Sequence, residues 1–278
     1  MFKTLVLLSV LGLVSCGKGG SNTASTSAAA YSAMPNESMR WHDSNLNNGL
    51  SLTIATEVAS ALDYGSGDNG YSEDALEWNN ALPGKTFFAL PFPIVANREK
   101  ATLASYNDDE MGIYKSQNWF PELGKGVLAI TQYFGVRRFD HGKEYIEFQH
   151  ADIILNFRDY TFSSDLTDVT SFDLPSVLLH EMGHFVGLQH ELSTHQSIMW
   201  PALRRNESER QLFPIDIQNL QTNYGVANAS NVKASAITSP SKTPDSEIVQ
   251  GHFELRANGD CVHFSNGKQI HVHHVEGL

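Results

Sequence analysis

The sequence predicts an α+β domain in which a mixed, twisted sheet packs on two helices. Two runs rich in β-branched and aromatic residues, Val127–Phe134 and Tyr145–Phe157, are typical of strands. Apolar residues recur at helical spacing after Ser72, and a second helix is predicted to start after Asp173. Strand and helix patterns on one chain of this size indicate a sheet whose apolar face is covered by helices.

The other elements follow in chain order. Leu50–Thr56 alternates between apolar and polar residues, which predicts a strand. Ser72 is predicted to cap the first helix. The apolar stripe of that helix comprises Ala75, Leu76, Trp78, Ala81 and Leu82. Phe87–Pro93 and Met111–Phe120 are also predicted strands.

The N-terminus is typical of an export signal. Lys3 supplies a positive charge, and Leu5–Leu13 form an apolar stretch that is too short to span a bilayer as a helix. The stretch ends in Leu-Val-Ser-Cys, which resembles the bacterial lipobox, so Cys16 is predicted to be lipidated after removal of residues 1–15. An ordinary cleaved signal peptide with a stray cysteine is the alternative.

Composition divides the rest of the chain. Residues 16–37 are rich in Gly, Ser, Thr and Ala and are predicted to be a flexible tether, and residues 228–246 a linker. Residues 38–227 between them form the predicted folded domain, and 247–278 a small β-meander that must pack on it or on a partner. His271 and His273 share one face of the meander, which suits metal ligands, although exposed strand histidines are commoner.

The charge balance excludes one class of partner. The 278 residues include 19 Lys and Arg against 31 Asp and Glu, a formal net charge of −12. This acidity argues against nucleic acid as a partner. The acidic run Asp108–Glu110 matches no calcium-binding spacing, and a solvated loop is favoured over a Ca²⁺ site there. The two cysteines, Cys16 and Cys261, are not expected to pair.

The run HEMGHFVGLQH, His180–His190, contains the candidate metal-binding and catalytic residues. His180 and His184 are four residues apart, so on a helix both imidazoles project from one face and can share a metal ion. Glu181 can reach a water at that metal without ligating it. Gly187 is placed to end the helix in a left-handed conformation, which lets His190 return as a third ligand. Three protein ligands and an open fourth position are typical of catalytic zinc.

The alternative is a buried amphipathic helix that happens to hold histidines. Such a helix would bear a large desolvation cost without a partner for these polar groups, and Zn²⁺ supplies that partner. The metal interpretation is therefore favoured.

This motif resembles the signature of the metzincin metallopeptidases. Ser-Ile-Met199-Trp-Pro201 is similar to their methionine-containing turn, and Pro201 resembles the matrixin branch, as does the run Ile215–Gly225. The resemblance extends over roughly Met39–Gly225. It implies a zincin-like fold with an active-site helix, a second helix, a C-terminal helix and one antiparallel edge strand, Val127–Phe134, whose unpaired backbone takes up an extended substrate.

The resemblance also implies roles for single residues. Met199 forms a hydrophobic floor under the ligands, and Pro201 and Leu203 belong to the wall of a substrate pocket. Structural calcium is known in matrixins, but the sequence gives no spacing for it. The latency cysteine of animal matrixins has no counterpart upstream of the motif.

These observations predict a zinc endopeptidase that hydrolyses extended polypeptide with Glu181 as general base. The alternatives are a zinc-binding envelope lipoprotein without catalysis and a zinc amidase acting on cell-wall peptides. Cys16 would anchor a monomeric protein by lipid at the cell envelope, in the outer membrane rather than the inner one, facing the periplasm or the exterior.

Overall fold

A computed structural model of the chain describes residues 38–62, 69–140, 143–225, 248–257, 260–265 and 268–274. The predicted signal peptide, the lipidation residue Cys16, the tether and the linker 228–246 lie outside these residues. Within the described ranges, no helix has the length and apolar character needed to cross a bilayer.

A nine-stranded mixed sheet forms the centre of the fold. The strands of the chain are β1 (Ser38–Trp41), β2 (Thr53–Ala55), β3 (Ile94–Val95), β4 (Gly112–Ser116), β5 (Val127–Asp140), β6 (Lys143–Asn156), β7 (Phe162–Ser163), β8 (Phe172–Asp173), β9 (Ile248–Arg256), β10 (Asp260–Ser265) and β11 (Lys268–His274). The sheet order is β11-β10-β9-β5-β6-β4-β2-β3, with β1 also paired to β6, and β7 and β8 form a separate pair.

Among the described residues, four α-helices accompany the sheet, namely α1 (Thr56–Ala61), α2 (Gly70–Ala81), α3 (Leu174–Phe185) and α4 (Pro214–Asn223). Every residue of α3 is buried. Two tryptophans fix this helix through its backbone. The indole Nε1 of Trp78 donates to the carbonyl of Leu179 at 3.0 Å, and that of Trp41 donates to the carbonyl of Phe185 at 2.7 Å. The buried rings therefore set the depth and the rotation of α3 against α2 and β1.

The predicted fold class is confirmed. β6 pairs in parallel with β1 and β4, whereas β5 pairs with β6 antiparallel, so the sheet is mixed. One implication of the resemblance is wrong: the outer edge of β5 is not unpaired, because β9 pairs with it antiparallel from Val127 to Val136. β9 belongs to the predicted C-terminal meander, which is thus continuous with the sheet.

Helix α2, which was predicted to start at Ser72, also differs from its prediction. It begins at Gly70 with Asn69 in the capping position, and Ser72 lies inside the first turn, where its N–H donates to the carbonyl of Asn69 at 2.8 Å. Leu76 is not part of the buried stripe, since 46% of it is exposed. One residue along a helix rotates the side chain by about 100°, which carries Leu76 away from the face of Ala75.

Three predicted strands are shorter or absent. Within Leu50–Thr56 the strand is limited to Thr53–Ala55, apart from a single bridge at Leu50, and it ends where Thr56 begins α1. Only Gly112–Ser116 pairs within the run Met111–Phe120. Phe87–Pro93 is not a strand, and its pairing is limited to a single bridge from Phe88 to Leu50. Two prolines in that run lack the N–H that a ladder requires.

Candidate zinc centre

The start of α3 is held by a carboxylate. Asp173 occupies the capping position, and its Oδ2 accepts from the N–H of Ser176 at 3.1 Å, while Pro175 lies in the first turn as predicted. The guanidinium Nε of Arg210 donates to the same oxygen at 3.0 Å. A cap with its own cationic partner gives the helix a defined first residue, which fixes the direction in which later side chains project.

The structure brings the three predicted ligand histidines together. One ligand atom from each of His180, His184 and His190 lies within 4.8 Å of the others. Carbonyl oxygens orient the two helical rings: Nδ1 of His180 lies 2.6 Å from the carbonyl of Ile198, and Nδ1 of His184 lies 2.8 Å from that of Leu188. These bonds place the proton on Nδ1 and leave the lone pair on Nε2, which is the form that binds a metal.

The turn after α3 allows the third histidine to return. Gly187 has a φ of 96°, and a Cβ at this position would collide with the carbonyl oxygen of Met39. Asn223 spans the same place, because its Nδ2 donates to the carbonyls of Met39 at 2.6 Å and of Gly187 at 3.1 Å. Only glycine combines this conformation with so close an approach of strand β1.

The donor set fits zinc. Nε2 of His184 and Nε2 of His190 are 3.0 Å apart, whereas nitrogens bound tetrahedrally at 2.0–2.1 Å would be about 3.3 Å apart. Nε2 of His180 is buried without a hydrogen-bond partner among the described residues. Burial lowers the pKa of His180 to about 4, against the smaller raising effect of the Ile198 carbonyl, so the ring is neutral near pH 7. A cation shared by three neutral imidazoles would satisfy these lone pairs.

Glu181 lies in the same buried space. Its Oε2 accepts from the hydroxyl of Thr131 on β5 at 2.6 Å, whereas Oε1 has no hydrogen-bond partner within the described ranges. Burial is the largest influence on this carboxyl and raises its pKa to about 8; the charge of Glu254 adds to the rise, while Thr131 and the backbone of Leu255 lower it. A carboxyl with a raised pKa and a free oxygen is suited to receive and release a proton.

Met199 is fully buried. It packs against α3 at Gly183, where an added Cβ would meet the Met199 sulfur. Asp216 of α4 holds this turn, because its carboxylate accepts from the N–H of Ile198 at 3.0 Å and from the Ser197 hydroxyl. Since the carbonyl of Ile198 also contacts His180, Asp216 is linked to a ligand through one residue.

A cavity of about 240 Å³ opens beside the histidines. Leu203, predicted to be in a pocket wall, lines it together with Ala202, His180 and Leu255. Pro201 is not among the residues that line this cavity; its carbonyl oxygen accepts from the N–H of Arg256 at 3.2 Å.

Three contributors to the site were not singled out from the sequence. Thr131 lies in an ordinary strand pattern with no motif around it. Asp216 could have been noticed in the sequence, since an acidic residue in the first turn of a helix is a typical N-terminal feature. Phe253 of β9 stacks on His184, with ring centroids 4.3 Å apart and planes at 7°, and only the pairing of β9 with β5 could show it.

The other candidate metal sites receive no support from the described part of the chain. There, the cluster of three histidines is the one group of His, Cys, Asp and Glu with metal-binding geometry. Within the acidic run, Asp108 pairs with Lys100 at 2.7 Å and Glu110 with Arg98. The side chains of Cys261, His271 and His273 lie outside the described residues.

A helix bearing two histidines and a glutamate, a glycine turn to a third histidine and a buried methionine turn together define the metzincin class of zinc site. The family model of the matrixins matches residues 93–225. Residues 93–225, which hold the zinc centre, therefore match a matrixin domain.

Two curated plant proteins are similar over shorter stretches. Metalloendoproteinase 2-MMP of Arabidopsis thaliana is 33% identical over 90 residues, which are 32% of this chain and 22% of that protein. Metalloendoproteinase 5-MMP of the same plant is 41% identical over 56 residues, which are 20% of this chain and 15% of that protein. The matched stretches span less than a quarter of either relative.

Proposed function

We propose that the protein is a zinc-dependent endopeptidase that cleaves extended polypeptide. The convergence of His180, His184 and His190 beside the buried carboxylate of Glu181 carries this proposal. The matrixin match and the endoproteinase names of the two plant relatives support it.

Each residue of the site has a defined task. The three imidazoles would hold Zn²⁺, which when bound acidifies water and acts as a Lewis acid toward the scissile carbonyl. Glu181 accepts the proton of the attacking water on its carboxylate and passes it to the leaving amine. Thr131 orients Glu181 by its 2.6 Å hydrogen bond, which leaves Oε1 to face the water. Ile198 and Leu188 keep the rings of the helical ligands in the metal-binding tautomer.

The test uses the zinc-loaded full chain and a peptide library read by mass spectrometry. Cleavage should stop on addition of a zinc chelator and return with added zinc. Glu181→Ala should lower turnover by a factor of about 10² or more while zinc stays bound. Glu57→Ala is the matched control on an exposed glutamate that does not line the cavity, and it should leave turnover unchanged. Equal activity of Glu181→Ala and wild type would refute the proposed role.

We also propose that the chain is a monomeric lipoprotein anchored through Cys16 at the cell envelope, with the catalytic domain outside the cytoplasm. The lipobox-like Leu-Val-Ser-Cys run and the polar tether support this proposal. Labelled fatty acid should be incorporated into wild type and not into Cys16→Ser, and the latter should leave the membrane fraction. Labelling of both would contradict the anchor.

A further inference from the structure

Strand β9 occupies the side of β5 that borders the zinc centre. β5 has two edges: β6 pairs with one, and β9 pairs with the other over Val127–Val136. An extended polypeptide that added itself to this sheet would need the backbone groups that β9 now uses.

β9 is also held from its opposite side. Arg256 donates its N–H to the carbonyl of Pro201 at 3.2 Å, and its own carbonyl accepts from the N–H of Leu203 at 3.1 Å. The end of β9 thus lies between β5 and the segment that forms the cavity wall, bonded to both. A backbone held in this way is placed as a bound peptide would be.

Two side chains of β9 point at the proposed catalytic groups. Phe253 pairs across the ladder with Thr131 and stacks on His184. Leu255 lines the cavity next to His180. Both residues are buried, with 3% and 2% exposed.

The consequence is that the proposed general base and two of the three histidines are buried, while His190 stays partly exposed and a cavity remains beside His180. Glu181 and His184 have no exposed surface, and His180 retains 2%. A general base that must meet a water and a scissile bond has no access to a polypeptide while β9 is in place. The matrixin match ends at residue 225, so β9 is an addition to the domain that the family model describes.

We propose that β9 is an intramolecular inhibitor: it fills the substrate cleft by strand pairing, with Phe253 and Leu255 as its anchors, and must leave before a polypeptide can bind. The proposal rests on the proposed peptidase function, whose site it regulates. It requires no bond to be cut, because pairing with β5 is non-covalent. The segment 226–247 joins β9 to the domain and sets its effective concentration at the cleft.

The test compares three full-length, zinc-loaded proteins: wild type, Phe253→Asp and Ile248→Asp. Both variants place the same charge on β9, but Ile248 is 74% exposed whereas Phe253 is buried against His184. The readouts are turnover of a fluorogenic peptide mixture and hydrogen exchange of the β5 backbone amides. The second readout needs no activity.

Phe253→Asp should raise kcat/KM by at least about tenfold and speed exchange of the β5 amides by a similar factor, because a buried charge without a partner expels the strand. Ile248→Asp should stay near wild type in both. Equal turnover and equal exchange in all three proteins would overturn the proposal. Absence of turnover in every form, together with faster exchange in Phe253→Asp, would instead overturn the proposed function.

A second variant tests the proposal independently, in case Phe253→Asp does not fold. A recognition sequence for a specific protease is inserted in the full chain within residues 226–247, and turnover is measured before and after the cut and dilution. Turnover should rise on cutting and fall again when a synthetic peptide of residues 248–257 is added. The same peptide with Phe253→Asp should not inhibit. A cut protein that is no more active than the uncut one, or that ignores the wild-type peptide, would also overturn the proposal.

Discussion

Replacing Asp216 should loosen the turn beneath the zinc centre. The carboxylate is fully buried, and its Oδ2 accepts from the N–H of Ile198 at 3.0 Å and from that of Phe213 at 2.9 Å. In Asp216→Ala these two backbone donors lose their acceptor and cannot turn elsewhere. At about 1–3 kcal/mol for each orphaned donor, the expected loss of unfolding free energy is about 2–6 kcal/mol.

Asp216→Asn separates the shape of this residue from its charge. The amide oxygen can take the place of Oδ2, and the Ser197 hydroxyl can rotate to accept from the amide nitrogen. Neutral hydrogen bonds then replace charge-assisted ones, and the expected loss is about 1–2 kcal/mol. Asp43→Ala is the control, because the side chain of Asp43 is 72% exposed and its pair with Lys85 should contribute at most about 1 kcal/mol.

The variants also differ in zinc binding. Ile198 joins Asp216 to Nδ1 of His180, so a displaced Ile198 carbonyl releases one side of a ligand ring. Loss of such a supporting contact typically costs about 10–100-fold in metal affinity. Urea unfolding with and without chelator gives the stability, and competition with a zinc indicator gives the affinity. If Asp216→Ala matches Asp43→Ala in both, the link from α4 to His180 does not exist.

Two further predictions test the backbone and the pH dependence. Gly187→Ala should lower the free energy of unfolding by about 1–3 kcal/mol more than Gly84→Ala does. Both glycines have positive φ, but only a Cβ at Gly187 would collide with the carbonyl of Met39. Equal losses of stability in urea unfolding would show that this collision is not the cause. Burial raises the pKa of Tyr106 to about 12, so its contribution to stability is complete below the unfolded value of about 10 and is lost as pH rises toward 12. Tyrosinate absorbance of wild type against Tyr106→Phe should show this late titration, and a difference centred near pH 10 would contradict it.

Much of the zinc centre could be predicted because it is local. His180 and His184 share a helix face by spacing alone, and the start of that helix was marked by Asp173 and Pro175. Gly187 indicated the turn, because glycine readily adopts a positive φ such as the one found there. Strands β5 and β6 could be predicted from their β-branched and aromatic residues, although β5 ends six residues later than predicted and β6 begins two residues earlier and ends one residue earlier.

Two predictions failed at positions where contacts with other parts of the chain decide burial or strand pairing. Leu76 fits an apolar pattern, yet the tertiary structure leaves it exposed. Phe87–Pro93 has strand composition, but it contains two prolines that lack a backbone N–H, and its pairing is limited to one bridge from Phe88 to Leu50.

The sequence by itself predicted the three histidines that the structure brings together, the glutamate beside them and the α+β class, because these depend on residue type and on spacings within single elements. Only the tertiary structure decided which residues from other parts of the chain contact them. Thr131 reaches Glu181, Asp216 supports Ile198, and β9 covers the cleft through contacts between residues far apart in the chain. Such pairings depend on which edges and faces the whole fold brings together, and no local pattern records them.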